Sequence, residues 1–273
     1  MTNPAHAAEN PAARTRYFGP VELLVGAPVA EIRMNDPACH NSIEDPMCAG
    51  MADAVRTAVA DPHTRVILLL GLEDVFCSGH ARRWLLGADR QADQRDDFVP
   101  AVDFIRTAIT CPLPVAAAMR GSAAGGGLLL GLYAELPVLS QDSVYATTFM
   151  TYGFTPGLGS TVLLPARLGL GLGTEMLLTG RGYTGSELRT RGAPVTVAAH
   201  DSVETTARAV AQRVARAPRR SLEALKALLT GELLAATAAA LQRETPVQSE
   251  TVALPQVQEL IRNLYPEPDK AAR

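Results

Sequence analysis

Two glycine-rich turns carry the residues of this chain that are best suited to chemistry. They are FCSGH at residues 76–80 and GGG at residues 125–127, and each leads from an apolar run into a segment with helical character. Such turns let backbone N–H groups approach a ligand and point in one direction. Two such turns after neighbouring strands predict a pair of N–H donors that point at one carbonyl oxygen. Stabilising an enolate or oxyanion requires such a pair of donors. The alternative, that the glycines only permit tight packing, is the stronger interpretation for either turn alone.

Apolar periodicity predicts the elements that must position these turns. The predicted strands, of which the first two form a hairpin, are 21–25, 29–34, 66–70, 114–118 and 136–139. The predicted helices are 46–60, 81–86, 99–110, 128–133, 171–178, 184–191, 202–217, 221–229 and 232–242, with Ser186 and Ser221 at N-cap positions. Strands that alternate with helices predict a largely parallel, buried sheet, followed here by a helical C-terminal third.

Composition and charge exclude several classes of function. The chain has 273 residues, 47% of them hydrophobic, and its net charge of −3 comes without a basic stripe, so no nucleic-acid partner is expected. The four cysteines lack metal-ligand spacing and predict free thiols in a reducing compartment. We find no signal peptide or apolar run that suggests a membrane span, and therefore expect a soluble cytoplasmic protein without a metal site. Only Lys226 and Lys270 are lysines, which leaves almost no position for a catalytic lysine.

Longer matches in register connect the chain to a known family. They are GLYA at 131–134, SVY at 143–145, FM at 149–150, YGFTPGLG at 152–159 and EMLLT at 175–179. With these residues the chain resembles the crotonase (enoyl-CoA hydratase/isomerase) superfamily, from about residue 21 to about residue 265. Within it, the chain is similar above all to the decarboxylating enoyl-CoA-hydratase homologues of polyketide β-branching cassettes.

The resemblance implies a fold and a division of the chain. The fold is α/β, with a crotonase-type ββα spiral core over 15–200 and a helical C-terminal region over 201–265 that serves trimerisation and covers the pocket. Residues 1–14 are expected to be a disordered tail and residues 266–273 a second tail. A homotrimer or a dimer of trimers is implied by the resemblance alone.

In this family the oxyanion hole is formed by two backbone N–H groups, which the resemblance places at His80 and Gly126. The His80 imidazole is not needed for that role, and two orientations stay open for it. It can face the pocket as a proton donor, or it can point outward. No cofactor is expected, because the acyl chain arrives as a phosphopantetheine thioester.

The hydratases of the family activate water with two glutamates, and the matching positions here are Leu129 and Phe149. Neither side chain moves a proton, so two-carboxylate water addition is excluded. An apolar pocket beside an oxyanion hole instead favours loss of CO2, because a desolvated carboxylate departs readily as a neutral molecule. The alternative is that both residues pack the core of a chain that has lost catalysis.

The decarboxylases of this branch also use a lysine in the loop after the first turn and a histidine near the C-terminus. Here the histidine position holds Gln248, and the loop 87–98 contains no lysine. Arg95, or less favourably Arg82, is the cation that can hold the substrate carboxylate, although an arginine does not readily donate a proton. Candidates for the protonation step are His80, Tyr152 or a water held by Gln248. Tyr152 can equally be an aromatic residue of the core, and Gln248 an ordinary residue of a helix face.

Decarboxylation of a glutaconyl-type chain to a crotonyl-type chain on an acyl carrier protein is the predicted function. Arg82, Arg83 and Arg90 are candidates to meet the acidic surface of that carrier. One alternative is dehydration of a 3-hydroxy-3-methylglutaryl carrier thioester. The other is a non-catalytic protein that binds and shields the carrier.

Overall fold

The structure is a computed structural model that describes residues 13–87 and 99–265, apart from the side chains of residues 99 and 100. The strands are β1 (Arg14–Phe18), β2 (Val21–Val25), β3 (Val29–Met34), β4 (Val66–Leu70), β5 (Val75–Cys77), β6 (Val115–Met119), β7 (Ser122–Ala124), β8 (Leu136–Ser140), β9 (Val144–Ala146), β10 (Gly182–Thr184) and β11 (Thr196–Ala198). The helices are α1 (Asp45–Ala60), α2 (Arg82–Leu85), α3 (Val99–Thr110), α4 (Gly126–Tyr133), α5 (Ser160–Leu168), α6 (Leu170–Thr179), α7 (Gly185–Thr190), α8 (Val203–Val214), α9 (Arg219–Val252) and α10 (Pro255–Leu264). Apart from residues 13 and 14, the predicted tails lie outside the described residues.

The strands form two sheets that the chain visits in turn. The larger sheet has the order β1-β2-β3-β4-β6-β8-β11, and the smaller sheet has the order β10-β9-β7-β5. After the β2–β3 hairpin the chain alternates between the two sheets: β4, β6 and β8 join the larger sheet, and β5, β7 and β9, which follow them, join the smaller sheet. Helices after β5 and β7 lead the chain back to the larger sheet. Within each sheet these strands pair in parallel, β4 with β6 and β6 with β8 in the larger sheet, and β5 with β7 and β7 with β9 in the smaller sheet. The predicted ββα spiral is therefore confirmed.

Apolar side chains on both faces of the larger sheet explain why its central strands are so hydrophobic. Every residue of β4 and of β6 is buried, as is expected for parallel strands covered on both sides. One face packs against α8 through Ala207 and Ala211. The other face packs against the main core, to which α1, α3 and α4 contribute. The smaller sheet and its turns are thus held over a rigid layer.

The C-terminal helices differ from the sequence prediction. The predicted helices 221–229 and 232–242 are one helix, α9, because packing of its buried face outweighs the weak break at Gly231. The predicted N-caps are also wrong. Thr184, not Ser186, caps α7 by accepting the N–H of Glu187, and α9 begins after Pro218 rather than at Ser221. Helices α5 and α10 were not predicted.

Helix α9 is, among the described residues, long and apolar enough to cross a membrane when judged by length and composition alone. No such segment was expected from the sequence. Its contacts are those of a helix packed on a folded domain: the buried Lys226 donates to the carbonyl oxygens of Ala108, at 2.6 Å, and Leu113, at 2.8 Å. Lys226 also lies 3.2 Å from the carboxylate of Glu135. These buried polar contacts tie the start of α9 to the end of α3.

Candidate active site

The two glycine-rich turns meet at one edge of the smaller sheet. Strands β5 and β7 are parallel neighbours, with Cys77 opposite Ala123, so the turns that follow them leave the sheet side by side. A Cβ atom at Gly79 would lie 2.7 Å from the Ala124 carbonyl oxygen, and one at Gly127 would lie 2.2 Å from the Cys77 carbonyl oxygen. Gly79 also has a φ of +87°, which disfavours any side chain. Glycine is therefore required for the backbone contact between the turns.

The predicted oxyanion donors lie close together at this contact. Gly126 is the first residue of α4, so its N–H has no acceptor inside the helix. A Cβ atom at Gly79, the residue before His80, would be only 3.7 Å from the Gly126 nitrogen. Among the described residues, no acceptor is found for the N–H of His80 or of Gly126. Two unused donors on adjacent turns are what the predicted oxyanion hole requires.

Asn41 fixes the first turn, a role that was not predicted. Its fully buried side chain donates to the carbonyl oxygens of Met34 and Phe76, at 3.1 Å each. Its φ is +52°, a conformation that asparagine tolerates better than most residues. The nearby N–H of Ile43 donates to the Gly79 carbonyl oxygen at 2.8 Å. The only sequence signal was an asparagine in a short polar loop between two apolar segments.

Two adjoining cavities open around the turns. The first, of about 30 Å³, has space for about one water molecule. It is lined by His80, Trp84, Leu85, Gly125, Gly126, Thr148, Phe149, Phe154, Leu158, Gln248, Val252 and Tyr265. The second, of about 180 Å³, is more polar. It is lined by His40, Ser42, Ser78, His80, Ala81, Arg82, Ala124, Thr148, Tyr152 and Tyr265. We call them the apolar cavity and the polar cavity.

The His80 imidazole points inward, which decides between the two orientations left open by the sequence. Its Cε1 would lie 3.5 Å from a Cβ atom at Gly126, and its ring stacks on Trp84 with centroids 4.4 Å apart. Nε2 is buried and has no hydrogen-bond partner among the described residues. Burial lowers the pKa of His80 from 6.5 to about 4, because an imidazolium ion would lose its hydration here. The ring is therefore neutral at neutral pH.

Gln248 is held over the apolar cavity by a polar anchor one helical turn earlier. The buried Glu244 carboxylate accepts the N–H groups of Gly159, at 2.6 Å, and Thr161, at 3.0 Å, together with the Thr161 hydroxyl. This carboxylate satisfies free N–H groups at the start of α5. A Cβ atom at Gly157 would lie 2.2 Å from the Gln248 Oε1, so the amide packs flat on that glycine. The Gln248 side chain makes no hydrogen bond to a described residue.

The two positions that replace the hydratase glutamates have different surroundings. Phe149 lines the apolar cavity and packs edge-on against Phe154, with ring centroids 5.9 Å apart. Leu129 is fully buried in α4 and lines neither cavity. No carboxylate lines either cavity within the described part of the chain. The exclusion of two-carboxylate chemistry therefore also has a structural basis.

The remaining predicted site residues lie toward the polar cavity. Tyr152 lines it, and burial raises the pKa of its hydroxyl. Arg82 lines it too and donates to the Arg262 carbonyl oxygen at 2.6 Å. Arg95 and Arg90 fall among residues 88–98, outside the described residues. Arg83 forms an ion pair with Glu44 at 2.6 Å. Of the predicted site residues, His80, Gly126, Phe149 and Gln248 share one cavity, and Tyr152 and Arg82 share the next.

Tyr265, which was not predicted, connects the end of α10 to the first turn. Its hydroxyl donates to the His80 carbonyl oxygen at 2.7 Å, and its ring lies 4.7 Å from that of Tyr152. Gln258 of the same helix donates to the Leu85 carbonyl oxygen at 3.1 Å. Together with the Arg82 contact to Arg262, these bonds attach α10 to the whole segment 80–86. No local sequence signal marks a contact across 185 positions.

One acidic cluster lies away from both cavities. Ligand atoms of Glu73, His200 and Asp201 lie within 4.8 Å of one another. The Arg120 guanidinium already contacts Glu73, at 2.7 Å, and Asp201, at 2.9 Å. A metal ion would have to compete with that cation, so the cluster is better described as an ion-pair network.

Comparison with known proteins identifies the architecture. Residues 25–268 match the enoyl-CoA hydratase/isomerase family. The chain belongs to this family. The fold and the family resemblance predicted from the sequence are thereby confirmed.

Some family members are similar over nearly the whole chain. The bacillaene synthase decarboxylase PksI of Bacillus subtilis is 32% identical over 246 residues, which are 90% of this chain and 97% of that protein. The decarboxylase domain of CurF from Lyngbya majuscula is 34% identical with a TM-score of 0.82, over 89% of this chain and 98% of the other. A structure from a dehydratase/decarboxylase enzyme couple involved in polyketide β-branching is 31% identical with a TM-score of 0.86, over 93% and 100%. The predicted similarity to this branch of the family is confirmed.

Proposed function

We propose that this protein decarboxylates a glutaconyl-type acyl chain, carried as a thioester, to a crotonyl-type chain. The observation that carries the proposal is the pairing of two backbone donors, at His80 and Gly126, with an apolar cavity; no described residue accepts from these donors, and no described carboxylate lines the cavity. The decarboxylases PksI and CurF among its relatives support the same reaction. A family member without a water-activating glutamate pair has no means to add water by the hydratase route.

The chemistry follows from the surroundings of the bound chain. The thioester oxygen accepts the N–H groups of His80 and Gly126, and these bonds strengthen as negative charge moves onto that oxygen. Entry into the cavity removes water from the substrate carboxylate, which favours its departure as CO2 and leaves the dienolate on the donors. The apolar cavity, at about 30 Å³, must widen to admit the chain, so lining side chains such as Phe149 move on binding.

Arg82 and Arg95 are the proposed partners of the substrate carboxylate. Arg82 lies on the wall of the polar cavity, where a guanidinium ion can form two parallel hydrogen bonds to a carboxylate. Gln248 and Tyr152 are proposed to hold a water molecule or the chain itself, and Leu129 to support the cavity from behind. No cofactor takes part in these steps, since the electron pair released from the C–C bond is held by the thioester.

We propose that the substrate is carried by an acyl carrier protein in the cytoplasm. A phosphopantetheine arm needs only a narrow entrance, and Arg82 and Arg83 beside the polar cavity can meet an acidic carrier surface. A homotrimer or hexamer is the proposed assembly. Exposed leucines on α9 support it: Leu225, Leu228 and Leu229 are 51%, 81% and 67% exposed. Nucleic acid and membrane are not among the proposed partners.

Mass spectrometry of a glutaconyl-loaded carrier protein tests the reaction, and Gly126 supplies the matched variants. Proline is tolerated at the first position of a helix but removes the N–H group. Gly126→Ala keeps that group while meeting the same neighbours, since a Cβ atom there lies 2.8 Å from the Ile43 Cδ1. We expect CO2 loss with the wild type, and a rate about 10²–10³ lower for Gly126→Pro than for Gly126→Ala.

Three outcomes contradict parts of the proposal. Equal rates for the two Gly126 variants would refute the oxyanion assignment. Loss of water with retention of CO2, from a 3-hydroxy-3-methylglutaryl carrier thioester, would show dehydration instead. Tight carrier binding without conversion of either chain would show a non-catalytic carrier-binding protein.

A further inference from the structure

The His80 ring lies between the apolar cavity and the polar cavity, and its two nitrogens have different surroundings. Nε2 is sealed from solvent and has no hydrogen-bond partner in the part of the chain that the structure describes. Nδ1 has no partner among the described residues either, and the residue as a whole is partly exposed. A buried ring nitrogen without a protein partner costs free energy, and a catalytic role is one explanation for keeping such a group. The ring thus borders both cavities, with one of its nitrogens sealed from solvent.

The other polar groups around the ring are poor proton donors to the apolar cavity. Within the described part of the chain, the titratable groups that line the two cavities beside it are His40, Arg82, Tyr152 and Tyr265. Of these, only Tyr265 also lines the apolar cavity, and its hydroxyl proton is already donated to the His80 carbonyl oxygen. Burial raises the pKa of Tyr265 well above its usual range. The amide of Gln248 carries no acidic proton.

We propose that the His80 side chain is the proton carrier of the reaction, and that it becomes charged only when an anionic acyl chain is bound. This inference rests on the proposed function. A carboxylate bound between Arg82 and the ring, at the wall that His80 shares with the polar cavity, stabilises an imidazolium ion beside it, and the charges replace part of the hydration that each has lost. The protein thus avoids a buried cation in its empty state.

The atoms and charges of the step balance. Nδ1 takes a proton from solvent as the anionic chain binds, so both ring nitrogens of His80 carry hydrogen. The C–C bond to the carboxylate breaks, CO2 leaves, and the electron pair forms the dienolate held by the backbone donors. Nε2–H then gives its proton to the dienolate carbon and a C–H bond forms. The ring is left as the neutral Nδ1–H tautomer, and exchange with solvent when the product leaves restores the Nε2–H tautomer. The net change is an acyl carboxylate and one proton converted to the shorter acyl chain and CO2.

Proton uptake on binding tests this directly in the wild-type chain. A glutaryl pantetheine thioester carries the same carboxylate, but its saturated chain cannot form a dienolate. Calorimetric titration in two buffers of different ionisation enthalpy, at about pH 6, measures the protons taken up. We expect close to one proton for each glutaryl chain and none for butyryl pantetheine, which lacks the carboxylate. Binding of the glutaryl chain without proton uptake would overturn the proposal.

The His80→Gln variant separates the ring from the backbone, since it keeps the N–H group of the oxyanion hole. We expect proton uptake to disappear and kcat to fall by about 10²–10⁴, as for loss of a general acid. His63→Gln, at a histidine that lines neither cavity, is the matched control and should change neither quantity. CO2 loss by the wild type with an unchanged kcat in His80→Gln would overturn this inference alone. No CO2 loss by the wild type would overturn the proposed function and this inference with it.

Discussion

His80 combines a backbone donor and a side chain whose environments are set separately. The backbone donor depends on Gly79, whose φ of +87° and contact with Ala124 leave no room for a side chain. The imidazole depends on burial beside Trp84. The same burial that lowers its pKa to about 4 makes it a site where the arrival of a negative charge has a large effect. At the scale of single residues, exclusion of water rather than a charge on a described residue lowers the pKa of His80.

Burial of His80 predicts a pH dependence of stability. Below about pH 6.5 the unfolded chain takes up a proton on this residue, whereas the folded chain stays neutral until about pH 4. The free energy of unfolding should therefore fall as pH drops through this range, with a His80 contribution of at most about 3 kcal/mol. Urea unfolding at several pH values checks this, and His80→Gln should lose less stability over the same range. Parallel curves for the two proteins would contradict it.

Helices α9 and α10 hold the site from outside the spiral. Helix α9 contributes Glu244, which anchors the start of α5, and Gln248 one turn later. Helix α10 contributes Gln258 and leads into Tyr265, which bond to the segment that follows the first turn. At the scale of elements, the C-terminal helices thus complete the wall of a cavity whose donors belong to the spiral core. This arrangement is in line with the expectation that the C-terminal region covers the pocket.

Tyr265→Phe tests the clamp between α10 and the first turn. It removes the hydroxyl that donates to the His80 carbonyl oxygen, and we expect a stability loss of about 1 kcal/mol. As a positioning effect, kcat should fall several-fold with little change in KM, and amide exchange in the segment 80–86 should become faster. Tyr17→Phe is the matched control, because Tyr17 is 69% exposed. Equal exchange rates in the two variants would contradict the clamp.

At the scale of the whole molecule, an apolar face of α9 has no cover from the residues that the structure describes. The residues that α9 buries include Lys226, Thr237, Glu244 and Gln248, whereas leucines of its first half are exposed. This reverses the usual pattern of a surface helix, in which the apolar face is the buried one. This distribution of buried polar residues and exposed leucines favours burial of the leucines in an assembly of several copies.

Leu228→Arg tests that assembly. Leu228 is 81% exposed, so the substitution should leave the fold of one copy intact while placing a charge in the proposed interface. Sedimentation velocity should show a trimer or hexamer for the wild type and smaller species for the variant, with unchanged circular dichroism. A monomeric wild type would contradict the proposed assembly, as would a variant that associates as strongly.

The sequence by itself determined the elements whose apolar pattern is long enough to be read locally. The hairpin of β2 and β3, strand β4 and helix α3 begin and end where predicted. Each has an apolar pattern contained in one segment, and for β4 that pattern is a continuous buried run. The glycines of the two turns were also evident, and shared side chains in register identified the family. Four strands of the smaller sheet are only three residues long, too short to show a period, and they were not predicted.

Only the tertiary structure decided how the site is completed. The orientation of His80, the anchoring of Gln248 by Glu244 and the bond from Tyr265 each depend on residues far apart in the chain. The continuity of α9 across Gly231 depends on the core against which it packs. The local conformational preference of these segments is weak, or it opposes the observed structure, as at Gly231. The structure adopted there is therefore set by which surfaces can be buried together. No single segment of the sequence shows how local preference and burial in the tertiary structure will balance.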